Sequence, residues 1–264
     1  MAACSAFVLS GRWEPLSAVA ERCAWPDGRF EVAWLDTDGA WRRAGLAEVA
    51  TVAFEEAPPV RAFASFRGQR NFPGLWWLAT TGEHVGYESW LERDHLMVLD
   101  ADPCVVGVSS QPLRLHWTAD GRAVRHVPDF FARLADGTAV VIDVRADDQI
   151  PPQDAAVFAT TAQACALVGW TYRRVGGLDP VWAANLRWLA GYRHPRCLQP
   201  QWAAQLQQVF AQPRPLMKGV VAVGDPIAVL PVLFHLLWHR RLVGDLTASP
   251  LGPASLLQAA GRST

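Results

Sequence analysis

Apolar side chains fall on alternate positions in FEVAWLD (30–36), the period-two pattern of a strand with one buried face. Thr37-Asp38-Gly39 is a turn signal, and AWRRAGL (40–46) predicts the returning strand. TVAFEEA (51–57) predicts a further short strand before Pro58-Pro59 breaks the chain. Residues 1–57 therefore read as a small β-rich unit. Residues 58–84 follow as a connector in which Arg61, Arg67 and Arg70 interleave with Phe63, Phe66 and Phe72. Arginine among aromatics suits a phosphate backbone and exposed bases; a linker whose phenylalanines tuck into the core is the plainer account.

From residue 85 the period changes repeatedly. YESWLERDHLMVLD (87–100) predicts a helix ended by Asp102-Pro103, and VVGVSSQPLRLHW (105–117) is extended. Asp120-Gly121 turns the chain into HVPDFFARLADGTAVVIDVR (126–145), a predicted β-hairpin about Ala135-Asp136-Gly137. DAAVFATTAQACALVGW (154–170) is a helix and TYRRV (171–175) a strand. The order α, β, β, β, α, β makes residues 85–179 a mixed α/β core with the hairpin central. From 180 to 264 the period is helical in PVWAANLRWLAGYR, PQWAAQLQQVF and IAVLPVLFHLLWHRR. Asp225-Pro226 supplies an N-cap and first-turn pair for the last of these. LVGDLTASPLG then reads as a short strand and turn, so this domain is helical and compatible with a winged helix.

The hairpin holds two residues that its strands disfavour, Asp129 and Asp143. If Ala135-Asp136-Gly137 is a three-residue loop, Leu134 faces Thr138 and Asp129 falls opposite Asp143, with Gly137 in the left-handed position. Like charges that close call for a cation between them, and magnesium accepts a few carboxylates plus water. Arg145 projects from the same strand face as Asp143 and could stabilise charge on a scissile phosphate. A two-residue turn would face Asp129 with Val144 instead. An exposed sheet face with a cross-strand Asp129–Arg145 pair fits the same residues as well as a metal site does. Glu88 and Glu92, four apart on the preceding helix, could supply a third acid, although Ser89-Trp90-Leu91-Glu92 is also a capping-box pattern.

Composition narrows the class little. Net charge is −1 and 51% of residues are hydrophobic, so a core is affordable and any basic surface is local. Lys218 is the only lysine. Five scattered cysteines, the absence of a signal-peptide pattern and the shortness of 227–238 predict a reduced, cytoplasmic protein with no membrane span. His235 and His239 have the spacing of paired zinc ligands but no third ligand is evident. His239, Arg240 and Arg241 precede a strand-turn and could touch phosphates, though a solvated helix end is the commoner arrangement.

Four motifs in order resemble the PD-(D/E)xK nucleases, and more closely the TnsA-like endonuclease subunit of heteromeric transposases. They are Ser89-Trp90-Leu91-Glu92, Gln111-Pro112, Pro128-Asp129-Phe130-Phe131 and Asp143-Val144-Arg145, and the resemblance covers roughly residues 85–175. It implies a restriction-endonuclease-like mixed-sheet core and Mg2+-dependent cleavage of double-stranded DNA at transposon ends, with Mn2+ able to substitute. It also implies two partners, a strand-transferring transposase subunit and an ATPase regulator. Carried over by position, Glu92, Asp129 and Asp143 hold the metal and Arg145 supports catalysis. Arg61, Arg67, Arg70, Arg240 and Arg241 are the candidate DNA contacts. Arg145 stands where the family has lysine, and arginine cannot accept a proton. A nuclease fold that binds DNA and assembles without cutting, or a restriction or defence nuclease outside any transposon, are the alternatives.

Overall fold

The computed structural model describes residues 29–63 and 72–261; Phe66, Arg67 and Arg70 lie outside the described residues. These form two compact units, and the division falls within one helix. The first runs to His95 and resumes over Cys104–Gly177; the second takes Leu96–Pro103 and the chain from Leu178 onward.

In the first unit the turn at Asp36–Gly39 joins β1 (Glu31–Leu35) to β2 (Trp41–Gly45). The free edge of β1 pairs with β6 (Leu113–Ala119), which pairs in turn with β7 (Arg122–His126), giving the sheet order β2-β1-β6-β7. The expected division at residue 57 is therefore corrected: the first hairpin completes a sheet whose other half comes from the middle of the chain. A two-stranded hairpin is too small to bury its own apolar face. Val32 instead shares a core with Leu113, Leu115 and Trp117.

TVAFEEA is likewise not a strand. Phe54–Glu56 is a 3-10 turn that places Phe54, fully buried, edge-on to Trp34, Phe131 and Trp170. The stretch expected as a connector carries structure too, an antiparallel pair of β3 (Gly74–Trp77) and β4 (His84–Tyr87).

The second sheet of this unit has the order β10-β9-β8-β5. It is built from β5 (Val105–Ser110), β8 (Phe130–Leu134), β9 (Ala139–Val144) and β10 (Thr171–Val175). β5, β8 and β9 are antiparallel neighbours, and β10 returns parallel to β9 after α2 (Pro152–Leu167). α1 (Trp90–Asp100) precedes β5. The hairpin is central, and β9 is buried at every position from Ala139 to Asp143, as a strand covered on both faces must be. The run expected as one extended stretch over 105–117 is two strands in different sheets. The chain changes sheets at Gln111, whose φ is 50°.

In the second unit, α3 (Pro180–Ala190) and α4 (Pro200–Val209) are followed by β11 (Arg214–Pro215), α5 (Leu216–Val223), α6 (Pro226–Trp238), β12 (Leu242–Gly244) and β13 (Leu256–Ala259). The strands form an antiparallel sheet in the order β11-β13-β12. Asp225 caps α6 by accepting the Ile227 N–H at 3.0 Å, with Pro226 in the first turn. From Val232 to Trp238 the helix is buried at every residue, so it reads as apolar all round. No helix among the described residues is long and apolar enough to cross a membrane. Among the described residues Cys165 and Cys197 are free thiols.

Candidate functional site

The hairpin register decides which side chains can meet. Leu134 N–H donates to Thr138 O at 2.9 Å, and Gly137 sits at φ 89°, a conformation that costs glycine nothing and other residues about 1 kcal/mol. The loop is therefore three residues long. Phe130 pairs with Ile142 and Phe131 with Val141, so the next step outward sets Asp129 against Asp143.

Asp129 accepts the Val144 N–H on Oδ2 at 2.7 Å, and its main-chain carbonyl accepts the Gln111 N–H at 2.9 Å. Burial raises its carboxyl well above the ordinary range, and the charges of Asp143, Glu92 and Glu88 raise it further, against the lowering by Val144. Four carboxylates thus act on one another here, and of these Asp129 and Asp143 sit where strand propensity disfavours them.

Asp143 is 2% exposed. Tyr172, on β10, donates its hydroxyl to Oδ2 at 2.7 Å, and His126 Nε2 lies 2.9 Å from both carboxylate oxygens. Burial and Asp143 together push the Tyr172 hydroxyl up, and they raise the Cys165 thiol to about 12. On one continuous strand His126, three positions before Asp129, would face the opposite side. β7 ends at His126 and β8 begins at Phe130, and Pro128 between them resets which way the side chains point. The proline itself was the available signal.

Glu92 closes the N-terminus of α1. Its own N–H donates to Ser89 Oγ at 3.1 Å, Ser89 Oγ–H donates to Glu92 Oε1 at 2.9 Å, and the Glu88 N–H donates to Oε2 at 2.7 Å. This is a capping-box variant in which the return bond reaches the Glu88 N–H, one residue before the N-cap. Burial raises its carboxyl. Each oxygen keeps a further lone pair, and Glu92 remains near enough to raise Asp129. Glu88 accepts from Arg61 at 2.6 Å and from Gln111 Nε2 at 3.1 Å.

Arg145 does not form the cross-strand pair with Asp129. Its guanidinium donates to Asp154 on α2 at 3.0 Å, with the side chain 48% exposed. Arg61 is half exposed and paired with Glu88. In the second unit Arg241 donates to Gln207 Oε1 at 2.8 Å. Arg240 is half-buried at φ 54°, with burial lowering its guanidinium and Asp102 opposing that shift. His235 Nδ1 and His239 Nε2 each lie on a backbone carbonyl, those of Tyr192 and Arg193.

Among the described residues no three His, Cys, Asp or Glu side chains enclose a point that a metal ion could occupy as they stand. The donors nonetheless suit a hard cation. Asp129 and Asp143 are carboxylates opposed across a hairpin. Beside them the Gln111 side-chain carbonyl is buried with no partner among the described residues. Oxygen donors of this kind are what magnesium and manganese take. Compared with known proteins, the chain matches no family model and no curated sequence.

Proposed function

We propose that the protein is a metal-dependent DNA endonuclease subunit of a heteromeric transposase, acting on double-stranded DNA at transposon ends beside a strand-transferring subunit and an ATPase regulator. The observation that carries this reading is the three-residue loop at Ala135–Gly137, which sets Asp129 against Asp143 inside the motif order that resembles the TnsA-like subunits. The sheet β10-β9-β8-β5, with a helix before β5 and another between β9 and β10, has the element order expected of a restriction-endonuclease-like core. The order α4, β11, α5, α6, β12, β13, with β13 between the other strands, supports a winged helix in the second unit.

In this reading Asp129 and Asp143 hold the ion, with Glu92 alongside. Held there, such an ion would lower the pKa of a water and neutralise charge on the phosphate. Tyr172 and His126 fix the orientation of Asp143. Arg145, permanently protonated, leaves Asp154 to face the phosphate and supplies charge only. The DNA side has further support at the start of α1. Phe72 stacks on Trp90 with ring centroids 5.4 Å apart, both are about half exposed, and the Arg93 guanidinium lies 4.2 Å from the Trp90 ring. An arginine held against an aromatic face in this way can reach the phosphates of a duplex.

A labelled transposon end incubated with Mg2+, the partner transposase and this protein tests the reading. Nicking by wild type and none by Asp129→Ala is the expected result. Equal nicking by both removes the proposed site. The second reading, a subunit that binds and assembles without cutting, draws on Arg145 in place of lysine and on the full engagement of Asp143; it predicts DNA retention with no nicking and no Mn2+ binding.

A further inference from the structure

Gln111 is the most constrained residue of the first unit. It is 0% exposed and adopts a left-handed backbone, φ 50°, without being glycine, which costs on the order of 1 kcal/mol or more. Its main chain is held on both sides: the N–H donates to Asp129 O at 2.9 Å and the carbonyl accepts the Val60 N–H at 2.9 Å. Its side-chain Nε2 donates to Glu88 Oε2 at 3.1 Å. That bond fixes the amide orientation, because the reverse would set two acceptors against each other. Oε1 is then buried with no partner among the described residues. An orphan buried acceptor costs about 1–3 kcal/mol, and native proteins keep few of them. Here one is kept beside carboxylates that repel one another, on a strained backbone bonded to Asp129 itself.

A shared ligand resolves both anomalies. Asp129 has no ion-pair partner among the described residues, and the Gln111 carbonyl has no hydrogen donor among them. A hydrated divalent cation brings both, since magnesium and manganese keep several waters when bound by only one or two carboxylates. We propose that Gln111 is a positioning residue of the cation site, its Oε1 accepting a hydrogen bond from a water carried by the ion that Asp129 and Asp143 hold. This rests on the metal-dependent reading above and adds a residue to it. Partners in that outer position typically change metal affinity by 10–100-fold.

The test is Mn2+ titration of the full chain without DNA, followed by water-proton relaxation and calorimetry, with the melting temperature measured in parallel. Gln111→Met keeps the length and the backbone cost and removes both amide groups. Wild type binds Mn2+, Asp129→Ala does not, and Gln111→Met is expected to bind roughly tenfold or more weakly with altered relaxation per bound ion. Should Gln111→Met not fold, Gln111→Asn takes its place. Asparagine tolerates the left-handed backbone while withdrawing the oxygen, and the same weakening is expected. Wild-type affinity and relaxation in whichever variant folds would overturn the proposal, and would assign Oε1 to a structural water instead. Absence of Mn2+ binding by wild type would overturn the metal-dependent reading and this inference with it, a distinguishable outcome.

Discussion

The two units bury polar side chains in opposite ways. In the second, Asn185 is 3% exposed and fully engaged: its Nδ2 donates to Leu246 O and Ser249 O, and its Oδ1 accepts the Leu251 N–H. His235 and His239 are matched to carbonyls in the same manner; Trp238 Nε1 is the exception. In the first unit, Asp129 meets three other carboxylates, Gln111 Oε1 and Ser110 Oγ have no partner among the described residues, and Gln111 is strained. A buried polar group that is fully bonded holds loops in place and asks for nothing further. Groups that repel one another or stand unsatisfied lower stability, and their clustering in the first unit is what supports the proposed cation site.

That contrast breaks most sharply on activity. Asp129→Ala is expected to lower Mg2+-dependent cleavage at least ~1,000-fold, the scale seen when a main electrostatic support is removed from a reacting phosphate or acyl centre, without unfolding the chain. Asn185→Ala is the complementary change. It removes the side chain that holds two carbonyls and one N–H of the half-exposed loop 246–251, a loss of about 2 kcal/mol. In a unit of that size this lowers the melting temperature by roughly 10 °C or more. Mn2+ affinity is expected to stay at the wild-type value. A calorimetric trace showing loss of Mn2+ binding in Asn185→Ala would erase the distinction between the two kinds of buried polar group.

The sequence carried this distinction only in part. Asp129, Asp143 and the loop between them were legible because hairpin register follows from loop length and a period of two. The Asp225 cap and the Ser89–Glu92 box were legible because both are local. What was hidden depended on pairing across distance. Nothing within FEVAWLD announces that β1 will take β6 as its neighbour, and Phe54 is drawn into a 3-10 turn by three aromatic rings far along the chain. His126 and Tyr172 come to Asp143 from separate strands, and Gln111 was visible only as half of a Gln-Pro motif, with no sign of its strained backbone. The run 216–223, now α5, is too short to show a helical period.

A smaller effect sharpens the comparison from the side of stability. Burial and neighbouring charges raise the Asp129 carboxyl in the folded state above its unfolded value. The folded protein therefore holds that proton more tightly, and stability falls as pH rises from the unfolded carboxyl range through the raised folded value. Asp129→Asn removes this contribution while its side-chain oxygen can still accept the Val144 N–H. The variant is expected to melt a few degrees above wild type at pH 8 and to approach it near pH 4, where the unfolded carboxyl also begins to protonate. Glu92, raised by burial as well, keeps some of the slope. Adding Mn2+ at pH 8 should stabilise wild type and leave Asp129→Asn unmoved, because a ligand stabilises only the state that binds it. A variant less stable than wild type at pH 8 would place Asp129 with the satisfied groups of the second unit.

The smallest change expected is at Arg145. Its ion pair with Asp154 is half exposed and made through one nitrogen, and such pairs contribute about 0–1 kcal/mol. Arg145→Lys should therefore leave the melting temperature within measurement error. Its effect on cleavage discriminates between roles that geometry alone leaves together. If Arg145 supplies only positive charge, lysine replaces it and cleavage stays within about threefold of wild type. If the guanidinium grips a phosphate with both arms, lysine cannot reproduce that fork, and cleavage drops ~10-fold or more at unchanged Mn2+ affinity. An increase would mean that the chemistry gains from a group able to give up its proton, which arginine at this position withholds.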